Sequence, residues 1–78
     1  MILRHDVIQY RTAFYAACCT VDTKEKVLRV GYLFVDMLQS DTITVQSHTQ
    51  ETYKIRIPET MLKLASSQQF NYEFEIVD

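Results

Sequence analysis

The 78-residue sequence has one glycine, one proline and no tryptophan. So few chain breakers exclude long irregular loops and flexible linkers, and residues 1–78 read as a single domain. No apolar run approaches the roughly 18 residues of a membrane-crossing helix. In the opening "MILRHDVIQY", Arg4, His5 and Asp6 stand where a secretory leader needs its apolar core, so the expectation is a cytoplasmic, non-membrane protein. A net charge of −2 excludes the broad basic footprint of a general nucleic-acid binder and leaves room for a local basic patch. The only cysteines, Cys18 and Cys19, are adjacent, a spacing that strains a disulfide. They read as two small buried apolar residues of a reduced protein. No CxxC, HxxxH, GxSxG or phosphate-cradling glycine loop occurs. No metal, cofactor or catalytic site is therefore expected, and an enzyme is disfavoured.

What is present is strand pattern. In "DTITV", Ile43 and Val45 alternate with Thr42, Thr44 and Gln46, and in "TYKIRIP", Tyr53, Ile55 and Ile57 alternate with Lys54 and Arg56. Each is a strand with one buried face, and the polar "SHTQE" between them suits a hairpin loop. At the end, "FNYEFEIVD" places Phe70, Tyr72, Phe74 and Ile76 on one face and Asn71, Glu73 and Glu75 on the other. Before it, "PETMLKLASSQQ" starts with a proline suited to a first helical turn and an acid suited to the helix dipole. One to two helical turns are predicted there, plugging one end of a sheet.

The first half is more ambiguous. Asp6 stands three residues before Gln9 in a capping-box pattern, and Val7, Tyr10, Phe14, Ala17 and Val21 recur at helical spacing. A short N-terminal helix is expected. "FYAACCTV" fits either the rest of that helix or the first strand of a hairpin turning at "DTKEK". Val27–Val35 is rich in β-branched and aromatic residues on both faces, with Gly31 in its middle. Glycine and three valines disfavour a helix. A long strand that bends sharply explains the glycine as a place without a side chain, its two halves burying opposite faces. Such a strand wants a partner before it, which favours the strand reading of "FYAACCTV". The fold class expected is mainly β (α+β). It is a small SH3/Sm-like antiparallel barrel with a short N-terminal helix and a short helix before the last strand.

"VGYLFVDML" followed by "DTITV" resembles the bent second strand and turn of Sm-type barrels, although Asp36 comes one residue early and the family's RNA-pocket asparagine is absent. In length and layout the chain is similar to the Rof-type Rho-inhibitor family, an acidic Sm-like barrel. "HDVIQ" stands at that family's opening acidic helix, with Asp6 and Ile8 matching in kind and Gln9 replacing an acid. "ETYKIRIPETMLKL" resembles its fourth strand and following turn. The resemblance implies a regulator that occupies an RNA-binding protein, such as a transcription termination factor, rather than RNA itself.

Two sets of surface residues are candidates. Asp6, Gln9, Glu73 and Glu75, with Asp78, would form a protein-binding acidic surface if the first helix lies beside the last strand. Lys54, Arg56 and Tyr53 would be the contacts of an alternative nucleic-acid-binding module. Each set also fits the ordinary solvent face of an amphipathic strand. A third reading is an oligomer built by pairing of strand edges. Cys18 and Cys19 should point to opposite faces; His48 belongs to a solvated turn and His5 to the helix start.

Overall fold

The computed structural model describes residues 2–77. Along the chain run β1 (Ile2–Tyr10), β2 (Phe14–Asp22), β3 (Val27–Asp36), β4 (Thr42–Ser47), β5 (Thr52–Arg56), α1 (Glu59–Leu62) and β6 (Ser66–Glu75). The strands form one antiparallel sheet in the order β5-β4-β1-β2-β3-β6. The sheet curls into a half-barrel. Its two outer strands meet at one end, where Ile55 bridges Ile76 and the Val77 N–H donates to the Lys54 carbonyl at 2.7 Å. Inside the curl, Phe14 at the start of β2 and Phe74 near the end of β6 touch edge to face, centroids 5.5 Å apart. Ile8, Leu28, Leu33, Val45, Ile55 and Met61 complete the apolar interior around them. No helix among the described residues is long and apolar enough to cross a membrane.

The expected N-terminal helix is absent: its residues are strand β1. The cause is a step in the pleat. Side chains on a strand should alternate with period two. In β1 the inward positions are Leu3 and His5, then Ile8; in β2 they are Ala16, then Cys19 and Val21. In β3 they are Leu28 and Val30, then Leu33 and Val35. Each strand therefore skips one residue, and the resulting spacing of three imitates a helix face. The skipped residues, Asp6, Cys18, Gly31 and Asn71, lie at one level across β1, β2, β3 and β6, and the pairing register is the same above and below them.

The backbone shows how the step is made. Cys18 and Asn71 adopt left-handed conformations, φ 58° and 55°, while Gly31 between them does not. Asparagine tolerates that region; cysteine is held there at some cost. Gly31 supplies space instead. A Cβ on it would lie 2.9 Å from the Cys18 Cβ, closer than carbon atoms normally approach. The glycine thus marks the bend of a long strand, with opposite faces buried on either side, as its position predicts.

The same step corrects the reading of the last strand. β6 starts at Ser66, and Asn71 turns Phe70 outward to 67% exposure while Tyr72 and Phe74 remain inside. Phe70 is therefore not on the Tyr72 face. Cys18 and Cys19 do diverge: Cys18 is exposed, correcting the expectation that both are buried, and Cys19 is buried. The single-turn helix α1 buries Met61 against the core, with Pro58 as its extended N-cap.

Gly31→Ala is expected to destabilise the fold by about 1–3 kcal/mol through the clash with Cys18. Cys18→Gly removes the opposing Cβ and relaxes a left-handed residue. The double variant should therefore recover most of the loss in urea unfolding, a coupling that additive single effects would not give.

Candidate functional site

The step divides the outer face of the β1-β2-β3-β6 sheet into two halves of different chemistry. Below it, Arg4, Thr20, Arg29 and Glu73 lie at one level across the four strands. Arg29 Nε donates to Glu73 Oε2 at 2.6 Å, and its Nη1 lies 3.9 Å from Asp22. Asp22 also accepts from the Lys24 and Glu25 N–H groups, each at 3.0 Å, forming the turn between β2 and β3. These backbone bonds, with Arg29 adding to them, hold the Asp22 carboxyl below its ordinary range. Within this half Arg29 already has its carboxylate partners.

Above the step the outer face is aromatic. Tyr15 on β2 pairs with Phe34 on β3, and Tyr32 on β3 pairs with Phe70 on β6. Tyr15 meets Tyr32 edge to face at 6.2 Å, and Tyr32 meets Phe70 in the same way at 5.6 Å. Val7 and Ala17 extend the Tyr32 level toward β1. Such ring pairs stabilise a sheet surface by themselves. Exposed apolar patches often mark docking surfaces, whose centres are enriched in aromatic side chains. Asp6 borders it at the step, Asp36 at the end of β3, and Gln9 pairs with Tyr15 beside it. The cation at this border is Arg11, which packs over the Tyr10 ring at 5.2 Å.

A second polar cluster runs from buried His5 out to the exposed turn between β4 and β5. His5, buried on β1 rather than at a helix start, has its Nε2 3.0 Å from the Tyr53 hydroxyl. Tyr53 gives its one proton to Glu51 at 2.8 Å. The Tyr53 oxygen is left to accept from His5, so Nε2 carries a proton. The Nδ1 atom of His5 is buried without a hydrogen-bond partner. The exposed His48 ring stands edge-on to His5 at 6.1 Å. Ser47 and Thr49 close the network, their hydroxyls 2.9 Å apart, with Thr49 donating to Glu51 at 3.2 Å. The chain of bonds ties β1 to the β4–β5 hairpin. Among the described residues no group of three or more histidine, cysteine or acidic side chains is placed to hold a metal ion.

The candidate residues named from sequence fall in different places. Asp6 and Gln9 are exposed on β1, Gln9 donating to the Arg11 carbonyl at 2.8 Å. Glu73 holds Arg29, and Glu75 lies 3.4 Å from Arg56. Two strands separate β1 from β6, so Asp6 and the two glutamates do not share one acidic patch across the sheet. Asp78 lies outside the described residues. Lys54 and Arg56 are exposed on β5, whereas Tyr53 alternates to the inner side. Sequence reasoning missed Tyr15, Tyr32, Phe34 and Phe70. A signal was available: with a pleat step at Gly31, "YLF" puts Tyr32 and Phe34 outside once Leu33 is inside.

Burial pushes the Cys19 thiol up to about 12, and burial with the bond to Glu51 pushes Tyr53 up to about 12. Both groups fold best when protonated. Their contributions are complete below the ordinary values of 9 and 10 and are lost as pH rises through 12. Unfolding midpoints should therefore fall above pH 9, and Tyr53→Phe should remove the latest phenolate to appear in an absorbance titration. Glu51, lowered by its bond from Tyr53, adds stability that fades as acid protonates it.

No protein-family model, curated protein or solved structure matches this chain, so its function is read from its own surface.

Proposed function

We propose that this protein is a non-enzymatic binding module that docks the basic surface of a protein partner on its outer aromatic face. The observation that carries this reading is the outward ring row Tyr15–Tyr32–Phe70, exposed at Tyr15 and Phe70 and half-buried between them, with Asp6 and Asp36 at its borders. Ring faces attract guanidinium and ammonium groups, and flanking carboxylates add to that attraction and orient it. Arginine-bearing surfaces fit both features. Asp6 and Gln9 contribute at the rim, while Glu73 and Glu75 already hold cations of their own chain.

The curled antiparallel sheet with its bent third strand agrees with a small β-barrel at the coarse level. The resemblance to the Rof-type family extends the proposal to a regulator or inhibitor of an RNA-binding protein, such as a transcription termination factor. Exposed rings also stack nucleic-acid bases, which is the alternative reading. A strand of phosphates needs cations along its path. Arg29 and Arg56 are matched to Glu73 and Glu75, and Asp6 and Asp36 flank the rings, so a protein partner is favoured.

The test is affinity capture from the host with the intact protein, beside a gel shift with a labelled uridine-rich oligonucleotide. A single protein should be retained, more weakly as salt rises. Tyr32→Ser with Phe70→Ser should weaken it by at least ~10-fold, and Glu73→Lys should leave it in place. An oligonucleotide shift abolished by Lys54→Ala/Arg56→Ala would replace this reading with the nucleic-acid one.

A further inference from the structure

β6 is the long outer strand of the sheet, and its far edge is open. β3 pairs along one side of it from Glu75 to Ser66. On the other side the described residues offer only the contact of Ile76 and Val77 with β5, at the far end. The backbone from Ser66 to Phe70 thus presents an unpaired edge. Proteins commonly block such an edge with lysine, proline, an inward charge or a covering element. Outer strand β5 follows that practice: it is short, carries Lys54 and Arg56, and is capped by the Ile76 bridge. The edge of β6 does not. "SSQQFNY" has no charge and no proline, and Phe70 stands at its rim, 67% exposed, with ring contacts on the β3 side.

We propose that this edge pairs with the same edge of a second copy of the chain, antiparallel about a two-fold axis, joining two half-barrels through one continuous sheet. Three features select an identical partner. Two copies of an uncharged segment meet without like-charge repulsion, so the pairing is self-complementary. A two-fold axis through Gln68, the midpoint of Ser66–Phe70, pairs residues of equal parity, so outward side chains meet outward ones and inward meet inward. Under that register Gln68 lies beside its own copy. The ring rows of the two subunits then approach each other from either side of the junction. A 78-residue domain with a thin core also gains most from adding buried surface in this way. The inference goes beyond the docking proposal: it concerns the strand edge, not the ring face.

Sedimentation equilibrium of the intact chain tests it. The mass should rise with concentration from 9.2 kDa toward twice that value. Gln68→Lys, an exposed substitution that sets two cations side by side at the axis, should hold the chain at monomer mass with unchanged far-ultraviolet dichroism. Gln68→Glu, which sets two carboxylates at the same place, serves the same purpose if Gln68→Lys fails to fold. A monomer mass for the unaltered chain at about 1 mM, where even a millimolar association would be visible, overturns the proposal. So does a dimer that both charged variants leave intact. The mass of the unaltered chain reads this pairing without reference to the ring face, so its failure and failure of the docking role are distinguishable.

Discussion

The absence of one side chain governs this structure. At the level of Gly31 the pleat of four neighbouring strands steps by one residue, and the Cβ of Cys18 occupies the space that any other residue at position 31 would need. Because register is preserved on both sides, the step costs no pairing along the rest of the ladder. Its effect is to reverse which residues face inward. Phe14, Ala16, Leu33 and Val35 line the interior above it, and Cys19, Val21, Leu28 and Phe74 below. Without the reversal, one half of each strand would turn its large apolar residues to water.

Most of the fold was legible because period-two alternation survives wherever no step intervenes. β4 and β5 lie off the stepped level and were read almost residue for residue. Gly31 was read correctly because a β-branched run tolerates a lone glycine mainly where the strand must bend or be closely approached. β1 was not, because a step between His5 and Ile8 yields the spacing of a helical stripe, and Asp6 with Gln9 imitates a helix cap. Local pattern cannot distinguish these. Only pairing with β2 and β4 decides, and pairing is not written in a window of ten residues. Phe70 was misplaced for the same reason: Asn71 reads as an ordinary polar strand position, and nothing local says that its backbone is left-handed.

The division of the outer face follows from the same step. The ion pairs below it stabilise little individually, since surface ion pairs contribute about 0–1 kcal/mol, but they leave Arg29 and Glu73 already partnered. The aromatic half has no such internal settlement beyond its own edge-to-face contacts. Sequence reasoning looked for function in the charged residues because charge is easily read from composition. The proposed docking face instead uses residues that composition assigns to the core, with Asp6 and Gln9 at its border.

The seam between β1 and β4 is narrow, with Ile8 opposite Ser47 and Gln9 opposite Gln46. Beyond it, the β4–β5 hairpin is held by the His5–Tyr53 bond, the His48 N–H to the Val7 carbonyl, the Ile55–Ile76 bridge and burial of Val45 and Ile55. The four remaining strands are joined along nearly their whole lengths. Local opening is thus graded across the molecule: the hairpin is the flap that lifts first, and its amides should exchange with solvent well before those of β2 and β3.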